Sequence, residues 1–417
     1  MYFIYNLIVK ISWFILKIVA VFNSKIKLFV EGRKESFNII EKKISKSEKT
    51  IWVHAASLGE FEQGLPIIEK LKEKYANCKI VVTFFSPSGY EVKKNTPIAD
   101  AVCYLPIDTR RNAREFIQKI NPKIAIFIKY EIWPNYLKVL ADQNIPVLLV
   151  SAIFNKNQIY FKWYGSFMRN ALKRFSHYFV QDSKSKSLLA SIKIQNVSIS
   201  GDTRLDRVSK ILDQDNSLDF METFKGNRLC FIAGSTWPED EEILIDYINN
   251  TPKNLKYVLA PHTIKKDKIL GLAGSLTKKT VLYSNRAERD LSDFDVIIID
   301  HIGLLTKIYS YADIAYVGGG FATGLHNTLE PAVFGIPVVI GPNYKGFNEA
   351  EDLVAQKGIL PIHDKWSFSE LMKKLITNED SRHRTGSINS IYISKNKGAT
   401  DRITNYIETN FQYILGD

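Results

Sequence analysis

Glu60 stands where a carboxylate could take a proton from a substrate alcohol. It closes the run WVHAASLGE, residues 52–60, which is typical of a strand end followed by a helix start. A carboxylate close to an alcohol can accept its proton as the oxygen attacks another group. The alternative is an ordinary first-turn glutamate that complements the helix dipole.

Glu131 and Arg204 follow two other apolar runs in the same half of the chain. Glu131 ends the polar cluster KYE, which is either a loop site or the start of a helix with Pro134 in its first turn. Arg204 follows VSISGD, residues 197–202. As a fixed cation it could bind a leaving phosphate through a charge-assisted fork, and an exposed surface arginine is the alternative.

The segment 316–342, YVGGGFATGLHNTLEPAVFGIPVVIGP, predicts a nucleotide pocket made of a strand, a glycine turn, a helix and a second strand. Gly318 to Gly320 lack the side chains that would keep a ligand away from the backbone. A helix that begins near Thr328 would turn unpaired N–H groups toward an anion, and Glu330 could accept ribose hydroxyls. The pattern is not GxGxxG. A plain glycine turn before a buried helix is the alternative, but it does not explain the histidine and asparagine grouped with Glu330.

The sequence gives little support for metal-dependent or serine-hydrolase chemistry. There is no HExxH, no DxD that ends a strand and no GxSxG, so neither a metal nor a cofactor is expected. The acidic run Glu239 to Glu242 is interpreted as the start of an amphipathic helix whose charges face solvent. His54 is interpreted as a hydrogen-bonded core residue.

Short apolar runs rich in β-branched residues alternate with helical stretches from residue 51 onward. This alternation predicts parallel sheets covered on both faces, with ligands bound at the carboxyl ends of the strands. The polar stretch 203–220 interrupts the series and is interpreted as a domain junction. The predicted strands are IWVHAA, KIVVTFF, AVCYLP, IAIFIK, IPVLLVSA, HYFVQD, VSISGD, LCFIAGS, KYVLAPH, VIIID, DIAYVGGG and IPVVIGP.

The composition is that of an ordinary globular protein. A length of 417 residues, with 45% hydrophobic and 24% charged residues, predicts two or three domains and excludes general disorder. Cys78, Cys103 and Cys230 are far apart inside apolar runs, which indicates buried thiols rather than disulfides or a metal site.

The N-terminal segment indicates contact with a membrane. Residues 1–50 contain ten Lys or Arg and four Glu, so 10 − 4 = +6 of the net charge of +12 lies there, around the apolar run Tyr2 to Phe22. Lys10 and Lys17 interrupt that run, so a membrane-spanning anchor and a helix lying in the interface both stay open. A cleaved signal peptide is less well supported. Nucleic-acid binding is not expected, since no helix-turn-helix, RNP or zinc pattern occurs.

The stretch 158–174, QIYFKWYGSFMRNALKR, interleaves aromatic and basic residues. An aromatic face with a cationic rim suits a phosphorylated lipid at a membrane surface. A core helix with a solvated back is the alternative.

Taken in order, these motifs resemble the 3-deoxy-D-manno-octulosonic acid (Kdo) transferases of lipopolysaccharide synthesis. The resemblance implies the α/β fold of a GT-B glycosyltransferase, with two Rossmann-like doubly wound domains that face a cleft and an N-terminal membrane-associated helix. It implies a helix in residues 1–22, an acceptor-binding domain in 23–205 and a CMP-sugar-binding domain in 206–417, whose last helix could pack back on the first domain. The motifs that carry it are WVHAASLGE, TFFSPSGYE, YLPID, KYEIWPN, SAIFN, GDTRLD, GSTWPED and the segment 316–342.

The resemblance also implies an activity. Such an enzyme transfers Kdo from CMP-Kdo to the lipid A precursor, lipid IVA, with inversion, at the cytoplasmic side of the inner membrane. Glu60 matches the general base, Glu131 a second acidic motif, and Arg204 a position where the family usually has lysine. A GT-B glycosyltransferase or epimerase that uses a UDP-sugar is the first alternative, and a basic membrane-surface binding protein is the second. The implied CMP-binding residues are Pro261, His262, Ile302, Gly303, Leu304, Asn327, Thr328, Leu329 and Glu330.

The chain departs from the family pattern at three places. The frequent PRH motif is Ala260-Pro261-His262, which removes an arginine, and Lys265 or Lys266 could replace its charge. The MGE-like turn is Ile302-Gly303-Leu304, without the acid. The usual asparagine of the GNxK-like motif is Asp202.

Overall fold

The computed structural model describes residues 1–45, 47–251, 255–322 and 324–416. The chain divides into two compact units. Unit 1 consists of Met1–Asp206 and Lys397–Asp417, and unit 2 consists of Arg207–Asn396.

Unit 1 is built around a parallel sheet of seven described strands in the order β3-β2-β1-β4-β5-β6-β7. The first strand lies in the middle, and the chain adds strands first to one side and then to the other, as in Rossmann-like folds. The strands are β1 (Lys49–Ala55), β2 (Cys78–Phe84), β3 (Ala101–Tyr104), β4 (Pro122–Ile128), β5 (Val147–Ala152), β6 (His177–Val180) and β7 (Val197–Ile199).

Both faces of this sheet are buried, which explains why its strands are almost continuously apolar. Successive side chains of a strand point to opposite faces. Trp52 therefore packs in one core cluster, while Ile51 and Val53 pack in the other. The indole N–H of Trp52 donates to the Thr83 hydroxyl at 2.8 Å, so its one polar atom is satisfied inside the core.

Unit 2 contains a second parallel sheet, again with seven strands among the described residues, in the order β10-β11-β9-β8-β12-β13-β14. Phe231 and Ala233 pack in one core cluster, and Cys230 and Ile232, which point the other way, are also fully buried. The strands are β8 (Leu229–Thr236), β9 (Leu255–Pro261), β10 (Thr280–Leu282), β11 (Val296–Ile298), β12 (Ile314–Val317), β13 (Val338–Ile340) and β14 (Ile359–Pro361).

The helices cover the faces of the sheets and carry the loops at their edges. They are α1 (Tyr2–Val19), α2 (Ser24–Gly32), α3 (Ser36–Lys43), α4 (Leu58–Lys74), α5 (Pro87–Lys93), α6 (Arg110–Ile120), α7 (Pro134–Asp142), α8 (Ser166–Leu172), α9 (Ser183–Ser191), α10 (Thr203–Ser209), α11 (Asp219–Lys225), α12 (Pro238–Asn250), α13 (Lys266–Gly274), α14 (Leu305–Ile308), α15 (Leu329–Ala332), α16 (Asn348–Gln356), α17 (Lys365–Thr377), α18 (Glu379–Asn396) and α19 (Ala399–Leu415).

The last helix, α19, belongs to unit 1. Ile403 and Ile407 lie in the same core cluster as residues of α4. The Asp206 carboxylate accepts hydrogen bonds from the Thr400 backbone N–H and hydroxyl, at 2.6 and 2.7 Å, and from the Gly398 N–H. Asp206 is also the last residue of unit 1 before the chain enters unit 2, so the final helix is hydrogen-bonded to the point where the chain leaves unit 1.

The N-terminal helix α1 is docked on unit 1 by its first turns. The Tyr5 hydroxyl donates to the buried Asp108 carboxylate at 2.7 Å. Asp108 also accepts the backbone N–H groups of Asn135 and Tyr136, each at 3.2 Å. Burial raises the pKa of the Asp108 carboxyl to about 6, although these hydrogen bonds oppose the shift. One carboxylate thus joins α1 to the start of α7.

The predicted α/β class with two parallel, doubly wound sheets is confirmed. The predicted strands correspond to β1 to β9 and β11 to β13, whereas the short edge strands β10 and β14 were missed. The polar stretch 203–220 is not a simple break, since α10 and the start of α11 lie in it. All three cysteines are buried and free, as predicted.

Candidate active site

The first candidate site lies where the strand order of unit 1 reverses. Strand β1 pairs with β2 on one side and with β4 on the other. Glu60 lies in the first turn of α4, which follows β1, and Glu131 lies in the loop that follows β4, so both residues are at the carboxyl edge of the sheet. In open α/β sheets this switch point is the usual place for a ligand. The structure therefore brings these two predicted residues to one edge.

Glu60 is held by the helix that it begins. Its Oε2 accepts the Ser57 backbone N–H at 3.0 Å, as part of a capping box at the start of α4. Only 7% of the residue is exposed. Burial, and then the nearby charge of Glu131, raise the pKa of the Glu60 carboxyl, while Lys129 opposes the shift. A carboxylate with a raised pKa is a stronger base, which suits proton abstraction.

Two residues at this edge hold a strained backbone conformation. Lys129 and Ser151 have φ values of +64° and +52°, at the ends of the paired strands β4 and β5. Left-handed residues other than glycine cost about 1–3 kcal/mol and concentrate at functional sites. The Ser151 hydroxyl lies 2.9 Å from that of Thr203, which in turn donates to the Gln63 carbonyl at 2.6 Å. These bonds tie β5, α10 and α4 together beside Glu60.

His54 contributes to this edge, although its sequence context did not indicate it. It is fully buried and bonded through Nδ1 to Thr83 at 2.9 Å, which fits the predicted core histidine. Its Nε2, however, lies 3.0 Å from the Trp133 indole nitrogen and 3.4 Å from Glu131 Oε2. Trp133 also donates to Glu131 at 3.1 Å. The N–H of the half-buried Trp133 indole is therefore shared between the imidazole of His54 and the carboxylate of Glu131.

Arg204 lies in an ion pair. Its Nε and one terminal nitrogen lie 2.8 and 2.6 Å from Asp202 Oδ2, and its backbone N–H donates to Oδ1 at 2.9 Å. The expected cation is therefore present at the start of α10, but a carboxylate two residues away already neutralises much of its charge.

The second candidate site lies at the switch point of unit 2, where β8 pairs with both β9 and β12. Asp240, on the first turn of α12, is fully buried and accepts three hydrogen bonds. These come from the Trp237 N–H at 2.9 Å, the Gly319 N–H at 2.8 Å and the Tyr316 hydroxyl at 2.6 Å. The prediction that the acidic run 239–242 is wholly solvated was wrong, because one of its members fastens the glycine turn.

The glycine triplet makes room for neighbouring protein backbone. Gly319 has a φ of +92°, and a β-carbon there would lie 2.2 Å from the Gly324 carbonyl oxygen. A β-carbon on Gly320 would lie 2.7 Å from the Gly341 nitrogen. Glycine is therefore required here for the close packing of neighbouring loops, and the close approach of a phosphate to this backbone stays a prediction.

Trp237, His262 and His326 form an aromatic stack at this edge. The rings of Trp237 and His262 are 4.7 Å apart at 18°, and those of His262 and His326 are 4.6 Å apart. The Trp237 indole N–H donates to His326 Nε2 at 2.9 Å. Burial, and then His262, lower the pKa of His326, which keeps this imidazole neutral as an acceptor. The stack holds the predicted CMP-site residue His262 over the end of β9.

The residues 327–330 form a hydrogen-bonded turn. The Glu330 carboxylate accepts from the Thr306 hydroxyl and the Asn327 side-chain amide, both at 3.0 Å. Asn327 in turn accepts the Leu329 N–H at 3.2 Å. The helix that follows, α15, has only four residues, so the predicted helix-dipole contribution to anion binding is not supported. The side-chain oxygen of the buried Thr328 has no hydrogen-bond partner among the described residues.

The remaining predicted CMP residues lie at the same edge of the sheet. Ile302, Gly303 and Leu304 form the turn between β11 and α14, with Ile302 82% exposed and Gly303 at a φ of +94°. Pro261 ends β9 and lines a cavity of about 180 Å³. Of the nearby cations it is Lys268, rather than Lys265 or Lys266, that lines this cavity.

No group of three or more His, Cys, Asp or Glu side chains that could hold a metal ion occurs among the described residues.

Residues 31–207 match the family model described as 3-deoxy-D-manno-octulosonic-acid transferase (kdotransferase). The chain is 29% identical over 382 residues to the 3-deoxy-D-manno-octulosonic acid transferase of Haemophilus influenzae, covering 86% of this chain and 88% of the relative. It is 24% identical over 391 residues to that of Chlamydophila psittaci, with 90% of each chain covered. The resemblance to the Kdo transferases is confirmed. Because the matches cover most of the chain, they include both candidate sites.

Solved structures that resemble the chain support the fold. The UDP-GlcNAc 2-epimerase of Neisseria meningitidis matches with a TM-score of 0.63 at 15% identity, covering 87% of this chain and 100% of the epimerase. The MurG protein of Acinetobacter baumannii matches with a TM-score of 0.55 at 10% identity, covering 87% and 99%. At such identities the likeness concerns the fold alone, and it confirms the predicted class of two Rossmann-like domains of the GT-B type.

Replacing Asp240 tests whether it holds the glycine turn. The change Asp240→Ala leaves the buried Gly319 N–H, the half-buried Trp237 N–H and the buried Tyr316 hydroxyl without this acceptor, so we expect the free energy of unfolding to fall by about 2–4 kcal/mol. Urea unfolding of the full chain, with hydrogen exchange of β8 and β12 as the local readout, measures this. Glu239→Ala, at an exposed position of the same turn, is the control and should change stability by less than about 0.5 kcal/mol. Equal effects of the two changes would contradict the assigned role.

Proposed function

We propose that this protein transfers Kdo from CMP-Kdo to the lipid A precursor, lipid IVA, in lipopolysaccharide synthesis. The observation that carries the proposal is the buried Glu60 at the switch point of unit 1, within a chain that matches Kdo transferases over most of its length. Unit 1 would bind the acceptor and unit 2 the nucleotide.

In the proposed reaction Glu60 is the general base. Its carboxylate takes the proton of an acceptor hydroxyl as that oxygen forms a bond to the anomeric carbon of Kdo. The bond between that carbon and the phosphate oxygen breaks, CMP leaves with the electron pair, and the anomeric configuration inverts. The capping bond from Ser57 is made to Oε2, and Oε1 is the oxygen that we propose takes the proton of the hydroxyl.

Glu131 would act beside this base as a fixed negative charge. Its carboxylate is held by the Trp133 indole N–H, and its charge helps to raise the pKa of Glu60. Arg204 would stabilise the leaving phosphate, in competition with Asp202, which already holds the guanidinium. A single phosphate needs less positive charge than a diphosphate, which fits a cation that is partly neutralised.

In unit 2 the turn 327–330 would bind the nucleotide. Glu330 is oriented by Thr306 and Asn327, which suits it to accept the ribose hydroxyls of CMP. The buried Thr328 hydroxyl has unused hydrogen-bonding capacity at the same turn. Lys268 is the cation that we propose in place of the arginine missing at Ala260.

We also propose that the protein acts at the cytoplasmic side of the inner membrane. The helix α1 is long and apolar enough to cross a bilayer by composition. Its first turns, however, are bonded to Asp108 and Asn135 of unit 1, which favours a helix that lies in the interface.

Replacing Glu60 with glutamine tests the general base. Glutamine can keep the capping bond to Ser57 but cannot take a proton, so we expect kcat to fall about 10²- to 10⁴-fold without loss of folding. Product masses after incubation with CMP-Kdo and lipid IVA measure the transfer. Glu73→Gln, at an exposed position of the same helix, should retain full activity. Near-normal transfer by Glu60→Gln would overturn the proposed role.

The pH dependence tests the electrostatic role of Glu131. Because Glu60 must be ionised to act as a base, activity falls as the pH drops through its raised pKa. Glu131→Gln removes a negative charge that helps to raise this pKa, so the acidic limb of kcat/KM should move to lower pH. Glu115→Gln, elsewhere in unit 1, should leave the limb in place. A limb that stays or moves to higher pH in Glu131→Gln would refute this coupling.

Replacing Thr328 tests the nucleotide site. Since its buried hydroxyl has no partner in the described chain, Thr328→Val should not lower stability, but it should weaken CMP binding if the hydroxyl contacts the ligand. Thermal-shift titrations with CMP and with UDP measure both quantities. A larger shift with UDP than with CMP in the unchanged protein would favour the alternative, a glycosyltransferase or epimerase that uses a UDP-sugar.

A further inference from the structure

The helix α1 touches unit 1 along one stripe and leaves its other sides uncovered. The partly buried positions recur every three or four residues, as expected for one face of a helix. They are Tyr2, Tyr5, Asn6, Val9, Trp13 and Leu16, and the buried Ala20 follows directly after the helix. The uncovered sides are apolar and consist mainly of Phe3, Ile4, Leu7, Ile8, Ile11, Phe14, Ile15 and Ile18.

A groove of about 1000 Å³ runs between α1, α6 and α7. We call it the basic groove, because Lys10, Arg110, Arg111 and Arg114 line it and none of the four forms an ion pair with a described carboxylate. Two acids also line the groove. Asp142 pairs with Lys138 at 2.9 Å, and Glu115 lies 4.0 Å from Lys119, which is bonded to Glu41.

The positive charge of the basic groove comes from its side chains and not from the backbone N–H groups at the start of α6. The Thr109 hydroxyl accepts the Asn112 N–H at 3.3 Å, and the Asn6 side chain accepts the Arg110 N–H at 3.3 Å. The protein itself therefore uses these N–H groups at the start of α6. Arg111 and Arg114 are exposed, one turn apart on the side of α6 away from its core residue Phe116. Four cations without acidic partners leave the groove complementary to an anion.

The surroundings of the groove favour a membrane as the source of that anion. Lys10 lies on the same helix as the uncovered apolar residues. Beside the start of α1, Phe167 packs on Tyr2 at 5.0 Å, and the same segment projects Trp163, which is 90% exposed. Exposed tryptophan next to an apolar helix is typical of a membrane–water interface.

We propose that the basic groove binds the phosphate of an anionic bilayer phospholipid while the uncovered sides of α1 enter the headgroup region. A guanidinium can hold a phosphate through two parallel hydrogen bonds, which a solvated surface charge does not do. This deepens the membrane part of the proposed function, but it does not depend on the transfer reaction.

Vesicle binding of the full chain tests the proposal. The double change Arg111→Ser with Arg114→Ser should lower partitioning into phosphatidylcholine vesicles that contain phosphatidylglycerol about 25-fold, since each basic residue near an anionic surface contributes about 1 kcal/mol. Binding to pure phosphatidylcholine should not change. The matched control, Lys184→Ser with Lys186→Ser, removes the same charge from the exposed side of α9 and should change binding less than twofold. Arg111→Lys with Arg114→Lys keeps the charge but removes the forked donors, so its binding should lie between that of the unchanged protein and that of the serine pair.

Three outcomes would overturn the proposal. Unchanged binding by the arginine pair would show that the groove is not used, and an equal loss in the α9 control would show an effect of net charge alone. A raised KM for the lipid acceptor in neutral detergent, with unchanged vesicle binding, would assign the groove to the acceptor phosphate. Glu60→Gln separates this proposal from the transfer function, because it should lose transfer and keep vesicle binding.

Discussion

All strands of each sheet run parallel, so every strand-to-helix loop of a unit begins at the same edge and brings unpaired backbone N–H groups there. Carboxylates satisfy several of these groups. Glu60 accepts the N–H of Ser57, and Asp240 accepts those of Trp237 and Gly319. These carboxylates both order the loops at this edge and give the edge its negative charge. The candidate site of each unit depends on this arrangement, because the loops it fixes carry the predicted binding residues.

Glu60 and Glu131 could be placed from the sequence because their positions depend on local order. A buried parallel strand is a short apolar run, and the first polar residues after it must lie at the carboxyl edge. When two such runs form neighbouring strands, the acids that follow them lie at the same place on the edge, as Glu60 and Glu131 do after β1 and β4. The edge strands β10 and β14 were missed, although β7, of equal length and also at a sheet edge, was predicted from the longer run VSISGD.

The roles of other residues could not be read from the sequence because they depend on contacts distant in the chain. The triplet at Gly318 to Gly320 looks like a ligand cradle, yet Gly324 and Gly341 fill the space that a side chain would need. Asp240 looks like one of several solvated acids until β12 is placed beside β8. His54 was correctly assigned to the core, but its bond with Trp133 exists only because β1 and β4 are neighbours.

The buried Asp108 links the N-terminal helix to the acidic loop of unit 1. It accepts Tyr5 of α1 and also the first N–H groups of α7, which begins directly after Trp133. Trp133 in turn donates to Glu131. Withdrawing Tyr5 would leave the carboxylate with fewer donors inside a dry environment, where its charge is costly. These hydrogen bonds therefore connect α1, through Asp108 and the first residues of α7, to the loop that carries Glu131. The position of α1 and that of the Glu131 carboxylate thus depend on neighbouring residues of one short segment, 131–136.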